Sequence, residues 1–309
     1  MPGSPVLSVV VVNWNTKTLL LDLLARLFDE PRVACEVLVV DNASSDGSAD
    51  AARQAFPDAR VLPQPENGGF AYGVNRGLEA ARGRWVLLLN TDVELDWREL
   101  ERFVTAAEKE PDAAVFGPRI VDEHGATQRS TWPRHLPRHY LPHALFLGRL
   151  VERAQPTGRA DVDCVSGCVF LLRRDAVAAV GRFDERFFMY FEEADFCERV
   201  RRSGRRVRFL PEARFVHHGG LSAAQSAERT FVAFRESCLL YHAAWHGRTW
   251  TEYVRACLVL GHALRLFAWT ALLVVGRDRR GRARLYRTAL RRLLRPGLVG
   301  ELSRRPRAC

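Results

Sequence analysis

Two carboxylates, Asp41 and Asp92, each follow an apolar run rich in strand formers, EVLVV before the first and WVLLLNT before the second. In an open α/β sheet, polar residues that end a buried strand stand at the carboxyl edge, where ligands bind. One such carboxylate can accept a hydrogen bond from the imide of a nucleobase, and the other can hold a divalent metal that neutralises a diphosphate. Trp14, at the end of another apolar run, offers a face on which a base can stack. A second group of acids, Glu192, Glu193 and Asp195, follows the aromatic FFMYF, and apolar surroundings raise a carboxylate pKa toward that of a useful general base. His217, with His218 beside it, follows a strand-like FV and precedes Gly219 and Gly220, as a metal ligand at a strand end would. Each of these residues has a plain structural alternative. Asp is a common turn former and helix cap, Trp14 could be core, acids at a helix start favour its dipole, and a lone His is often a satisfied core residue. The glycine-rich stretch 67–77 has neither GxGxxG spacing nor a P-loop Lys, so Gly68 and Gly69 could simply form a tight turn.

Positioning these groups takes a particular set of elements. Strand-like runs at 7–12, 36–40, 60–63 and 85–89 alternate with helical segments, which argues for a parallel, three-layer α/β sheet. Thr16 stands where it can cap a helix over 19–28, and the turn cluster DNASSDGS leads into a second helix at 49–56. The glycine-rich loop runs into a third helix, and a fourth over 97–109 leads to a strand at 113–116. Segment 128–143, with three prolines and three histidines, reads as an irregular loop. Residues 163–172 and 206–210 read as strands, and between them 182–204 begins as an aromatic turn and becomes a helix stopped by Gly204. Beyond 222 only helices are expected, over 227–245 and over a long apolar 252–275. Arg255, His262 and Arg265 interrupt the latter, so it is expected to pack on the sheet or lie in a membrane interface instead of spanning. Residues 277–307 are heavily basic with leucines interleaved.

The 309 residues, 47% hydrophobic and 27% charged, exclude a disordered chain. The net charge of +10 comes almost wholly from Arg, since Lys17 and Lys109 are the only lysines. Such basicity suits nucleic acid, anionic lipid or phosphorylated ligands, although GC-rich codon usage would also favour Arg. A nucleic-acid-binding protein is the weaker reading, because the excess charge lies outside the expected crevice and no nucleic-acid motif is present. A nucleotidyltransferase could use the same sheet and metal but would not need the FEEAD acids after an aromatic run. The seven cysteines are scattered without a CxxC pair, which predicts free thiols, and Cys164 and Cys168 lack the partners of a zinc site. No secretory signal pattern is visible, since Pro2 to Pro5 leads straight into a strand.

The ordered motifs VVVVNWNT, VVDNASSDGS, ENGGFAYGVNRG, LLLNTDV, FDERFFMYFEEADFCERVRRSG and FVHHGG resemble those of family 2 glycosyltransferases of the GT-A fold, nearest to bacterial rhamnosyltransferase-like and galactofuranosyltransferase-like members. The resemblance covers about residues 6–225. It implies a GT-A catalytic domain over 1–225, a three-layer α/β/α nucleotide-sugar-binding sheet, followed by a basic helical C-terminal region over 226–309 that associates with an anionic membrane surface. It implies donor contacts from Asn13, Trp14 and Asp41, from Asn67, Gly69 and Asn75 of the glycine-rich loop, and from Asn90 and Thr91. Asp92 would be the direct ligand of Mg²⁺ or Mn²⁺, with His217 as the second ligand or His218 in its place, and Asn90 departs from the family's first Asp. Glu193 occupies the position of the catalytic base, with Glu192 and Asp195 toward the acceptor. The implied activity is inverting transfer of a hexose such as rhamnose from a dTDP- or UDP-sugar to a glycan or lipid-linked acceptor. The place implied is the cytoplasmic face of the cell membrane, in cell-surface polysaccharide synthesis.

Overall fold

The computed structural model describes residues 5–219, 227–274 and 281–304. Its first half alternates strand and helix as the apolar runs require: β1 (Leu7–Asn13), α1 (Lys17–Phe28), β2 (Cys35–Asp41), α2 (Ser48–Ala55), β3 (Arg60–Pro63), α3 (Phe70–Ala80) and β4 (Trp85–Leu89). There follow β5 (Val93–Glu94), α4 (Trp97–Glu108), β6 (Ala113–Val121), β7 (Thr127–Gln128), β8 (Thr131–Trp132) and α5 (Tyr140–Ala144). The remaining elements around the sheet are β9 (Ala160–Asp161), β10 (Cys164–Val165), β11 (Val169–Arg173), α6 (Arg174–Val180), α7 (Glu192–Arg202) and β12 (Arg206–His217). Four helices close the described chain: α8 (Ala227–Trp245), α9 (Gly247–Val274), α10 (Arg282–Leu293) and α11 (Leu298–Arg304). The first of them coincides with the segment expected from sequence.

The principal sheet runs β3-β2-β1-β4-β11-β6-β12-β5. Strands β1 to β4 are parallel, but β11 lies antiparallel between β4 and β6, so the sheet is mixed and not parallel throughout. A strand buried on both faces shows the same continuous apolar run in either direction, which is why the sequence pattern does not reveal the reversal. Alternate residues enter two cores. Val10, Leu38, Val40, Val86 and Leu88 face α3, α7 and α8. Val9, Val11, Val37, Val39, Leu87 and Leu89 face α1 and α4. These are the three layers of the GT-A architecture.

Three expectations change in detail. The run 163–172 is two strands in different sheets: β10 pairs antiparallel with β8, β11 joins the principal sheet, and between them Ser166 N–H bonds to Ser130 O at 2.9 Å. Strand β12 continues to His217 through a register shift between Leu210 and Arg214, where two pieces were expected. Thr16 holds the position before α1 without capping it, since its hydroxyl donates to Asn13 Oδ1 at 2.7 Å, and Asp46 Oδ2 accepts from the Lys17 N–H instead. The six described cysteines form no disulfide.

The C-terminal helices are part of the core. Cys238, Leu239, Leu240 and Tyr241 of α8, Val254 of α9, Leu293 of α10, and Leu298 and Leu302 of α11 join the cluster that holds Phe191 and Ala194. Burying each such leucine contributes roughly 1.5–3 kcal/mol. Residues 282–304 are therefore not a solvated tail; Arg255 ties α9 to them by donating to Leu293 O at 2.7 Å and Arg295 O at 3.1 Å. Among the described residues no helix is long and apolar enough to cross a membrane.

Candidate active site

The carboxyl ends of β1, β2 and β4 open on a cavity of about 450 Å³ whose opposite wall is the aromatic turn before α7 and the start of α8. Trp14, Asn67, Gly69, Asn90, Thr91, Asp92, Glu192, Glu193 and His217 all line it. Asn13, Asp41, Asn75, Asp195 and His218 do not, and each is spent on another contact. The expectation that Asp41 and Asp92 line one crevice holds for Asp92 alone. Asp41 is buried, with Oδ1 accepting from Asn13 Nδ2 at 2.8 Å and Oδ2 from the Ser44 N–H at 3.0 Å. Its neighbour Asn42 reaches the cavity, and donates from Nδ2 to Gly69 O at 2.9 Å. Asn75 clamps the loop before α7, donating to Phe183 O at 2.8 Å and accepting from Phe183 N–H at 3.0 Å.

The glycine-rich turn is shaped by close approach. Gly69 has φ +97°, and a Cβ there would lie 2.2 Å from Phe188 O. Only glycine permits both the dihedral and the Phe70 N–H to Phe188 O hydrogen bond of 2.7 Å that joins this turn to the aromatic one. The loop thus serves to bring two walls of the cavity together.

The short strand β5 pairs antiparallel with the end of β12, setting His217 opposite Val93, and His218 N–H bonds to Asp92 O at 2.9 Å. This register brings His217 Nε2 to 3.3 Å from Asp92 Oδ1, while His218 turns to Glu94 at 2.8 Å and Glu123 at 3.5 Å. Of the two histidines, His217 is the one that faces Asp92 and the cavity. Gln128, which sequence reasoning missed, fixes the ring. Its Nε2 donates to His217 O at 2.8 Å, because a carbonyl can only accept, so its Oε1 is left to accept from His217 Nδ1–H at 3.1 Å. With Nδ1 turned to Gln128, Nε2 faces a carboxylate oxygen of Asp92, and the two fit a cation held between them. Among the described residues no third His, Cys, Asp or Glu completes a cluster. Two protein ligands suit Mg²⁺ or Mn²⁺, which commonly take their other oxygens from substrate phosphates and water.

Glu192 and Glu193 are presented by a strained turn. Tyr190 and Phe191 both have positive φ, +68° and +67°, an unusual conformation for aromatic residues. Helix α8 holds it in place: Ser237 Oγ donates to Met189 O at 2.8 Å, and Phe191 packs on Phe234, Tyr241 and His135. Burial pushes the Glu192 carboxyl well above the usual range, and the adjacent Glu193 charge adds to this. Burial also raises Glu193, but backbone donors and a hydrogen bond from Glu192 oppose the shift. Both carboxyls of the pair therefore lie above the ordinary glutamate range, Glu192 further than Glu193. Among the described residues, Oε2 of each is buried without a hydrogen-bond partner. Asp195 instead faces away, accepting from Arg199 Nε and Trp245 Nε1 at 2.9 Å each, and so fastens α7 to α8. Two positions along a helix turn a side chain by about 200°, which accounts for the split. Arg229, also missed, brings a guanidinium to the cavity wall and lies over Phe188 at 4.1 Å.

Comparison with known proteins identifies the family and the fold. A protein of Mycobacterium tuberculosis named N-acetylglucosaminyl-diphospho-decaprenol L-rhamnosyltransferase is 30% identical, over 84% of this chain and 91% of its own. The low-salt glycan biosynthesis hexosyltransferase Agl10 of Haloferax volcanii is 24% identical over 75% of this chain and 74% of its own. Among solved structures, the mannosyltransferase PcManGT from Pyrobaculum calidifontis, in complex with GDP-Man and Mn²⁺, shares the fold. It has a TM-score of 0.56 at 17% identity, covering 98% of this chain and 88% of that one. The model of glycosyl transferase family 2 matches residues 8–181, a span that includes Asp92 and ends before Glu193. The chain belongs to glycosyl transferase family 2 and is a glycosyltransferase.

Proposed function

We propose that the chain catalyses inverting, divalent-metal-dependent transfer of a sugar from a nucleoside diphosphate to a hydroxyl of a glycan or lipid-linked acceptor. The observation that carries this reading is that the Asp92–His217 pair and the Glu192–Glu193 pair line one cavity. The donor's base would lie at the carboxyl ends of β1 and β2, against Trp14 and Asn42, with Asp41 stiffening that floor through Asn13 and Ser44. Asn67, Gly69, Asn90 and Thr91 would surround the ribose and diphosphate. Asp92 and His217 would hold Mg²⁺ or Mn²⁺, which when bound offsets the charge of the departing diphosphate. Glu193 would take the proton of the acceptor hydroxyl as its oxygen bonds to the anomeric carbon and the bond to the diphosphate breaks. A single displacement of this kind inverts the anomeric configuration. Glu192 would bind the acceptor while holding its own proton.

The mycobacterial relative's name supports a deoxyhexose such as rhamnose and a polyprenyl diphosphate acceptor, whose charge Arg229 is placed to meet, and the donor would be the dTDP- or UDP-sugar that the family resemblance implies. A lipid-linked acceptor in turn supports a peripheral position at the inner face of the cell membrane, in cell-surface polysaccharide synthesis. A panel of nucleotide sugars with and without Mn²⁺ tests the donor side. One dTDP- or UDP-sugar should raise the melting temperature only with the metal, because a ligand bound to the folded state alone stabilises it. Equal shifts with and without Mn²⁺ would count against metal dependence.

Gln128 is a positioning residue in this scheme. Gln128→Ala should weaken Mn²⁺ binding about 10- to 100-fold by calorimetry, the usual cost of losing a partner that orients a metal-binding imidazole. Gln128→Glu, which can still accept from Nδ1–H, should recover much of that affinity. Unchanged Mn²⁺ affinity in the Ala variant would show that the ring needs no such support.

A further inference from the structure

Eight of the eleven exposed large hydrophobic side chains among the described residues lie on two stretches of chain. Leu141, Leu145, Phe146, Leu147 and Leu150 belong to α5 and the turn after it, and Leu260, Leu264 and Phe267 belong to α9. The stretches are joined. Gly261 of α9 sits so close to α5 that an added Cβ would lie 3.0 Å from Ala144 Cα, and Arg265 donates to His143 O at 2.9 Å with its guanidinium 4.4 Å from the Phe146 ring. At 100° per residue, Leu260, Leu264 and Phe267 form the stripe next to that contact, on the side opposite His262, which faces Arg235 of α8. Phe146 is held at φ +63° with 61% of its surface exposed, and Leu150 and Phe267 are each 79% exposed. A backbone strained in order to display an aromatic ring to solvent is the reverse of what folding alone would favour.

Charge stands beside this apolar surface. Arg129, Arg149 and Arg153 line an open hollow of about 460 Å³ that begins at the same turn, with Glu152 as its one acid. Among the described residues none of the three guanidiniums is in an ion pair, although most of the arginines around the sheet are so engaged. We propose that the 141–150 segment and the adjoining stripe of α9 insert into the interfacial zone of an anionic bilayer, with Arg129, Arg149 and Arg153 receiving lipid phosphates. Apolar side chains entering the headgroup boundary beside a basic cluster are the two components that hold peripheral proteins on anionic membranes. This rests on the membrane placement proposed above and goes further in naming the surface, which is not the basic 277–307 stretch. The segment also starts at the cavity: Trp132 and His135 line it a few residues before α5. A lipid-borne acceptor would reach the site from the bilayer beside that wall.

Co-sedimentation of the full chain with phosphatidylcholine vesicles, with or without phosphatidylglycerol, tests this. The wild type should sediment with the anionic vesicles. The double variant F146D/L150D should lower the bound fraction roughly tenfold or more, and R149E/R153E should do so on anionic vesicles only. Arg291→Glu, a charge change of the same kind on α10, should leave binding as it is. Both double variants should keep the wild-type response to Mn²⁺ and nucleotide sugar, which separates loss of the surface from loss of the fold or of the donor site. Wild-type levels of sedimentation in F146D/L150D would overturn the proposal, as would a wild type that binds no vesicle. A dimer in solution that F146D/L150D dissociates, without vesicle binding, would assign the patch to a second copy instead. Vesicle binding with no transfer to any acceptor would leave this surface standing and refute the proposed reaction.

Discussion

Asp92→Asn is expected to lose transfer by roughly 10³-fold or more, because it removes the charged ligand for a cation that offsets several kcal/mol of developing diphosphate charge. The substitution preserves shape, so the fold and metal-free nucleotide binding should survive. The Mn²⁺-dependent part of donor affinity should disappear with the activity. His217→Ala should weaken the same function, and His218→Ala much less, since His218 is turned to Glu94 and Glu123. Full turnover of Asp92→Asn with chelator present would remove the metal from the mechanism. A larger effect at His218 would move the ligand by one residue.

Glu193→Gln should lower turnover by about 10² to 10⁴, the usual contribution of a positioned base, while nucleotide-sugar affinity stays near that of the wild type. The pH profile gives an independent sign. Burial raises the Glu193 pKa, so the acid limb of kcat/KM in the wild type should lie above the ordinary glutamate value of about 4.3. Activity should fall as pH drops through that raised value, because a protonated carboxyl cannot accept the proton. Glu192→Gln should keep the limb near its place, since an amide can still donate to Glu193, and should act chiefly on the acceptor KM. Glu192→Ala removes that donor and should move the limb upward. Normal turnover in Glu193→Gln would exclude it as the base. Loss of donor binding in both the Glu192 and Glu193 variants would mean that the acids hold the structure together.

Much of the Asp92 side of the cavity is legible in the amino-acid sequence because it rests on local rules. A five-residue apolar run ending in Asn90, Thr91 and Asp92 can hardly be anything but a buried strand with its polar end at the crevice, and β4 is that strand. Residue type alone cannot show which way a carboxylate turns. Asp41 and Asp195 stand at equally suggestive positions, yet Asn13 and Ser44 capture the first, and Arg199 and Trp245 the second. Gln128 lies in a two-residue strand inside a segment with no periodicity, and its partner is 89 residues away. No pattern of spacing marks such a contact. The positive φ angles at Tyr190 and Phe191 run against the preferences of aromatic residues, and their cause is the distant packing of α8.

That packing gives the order of synthesis a chemical meaning. The turn before Glu192 and Glu193 is held by Ser237, 48 residues beyond Met189, and α7 is fastened by Trp245, 50 residues beyond Asp195. A nascent chain extended as far as β12 already contains the strands around Asp92 and His217, but not the helix that forces two aromatic residues into a left-handed bend. Domains emerge from the amino terminus onward, so these two contacts cannot form until α8 has been made. The half of the cavity built around Asp92 and His217 is therefore encoded in an earlier part of the chain than the half that orients the two glutamates, and the cavity is finished only when translation has passed residue 245.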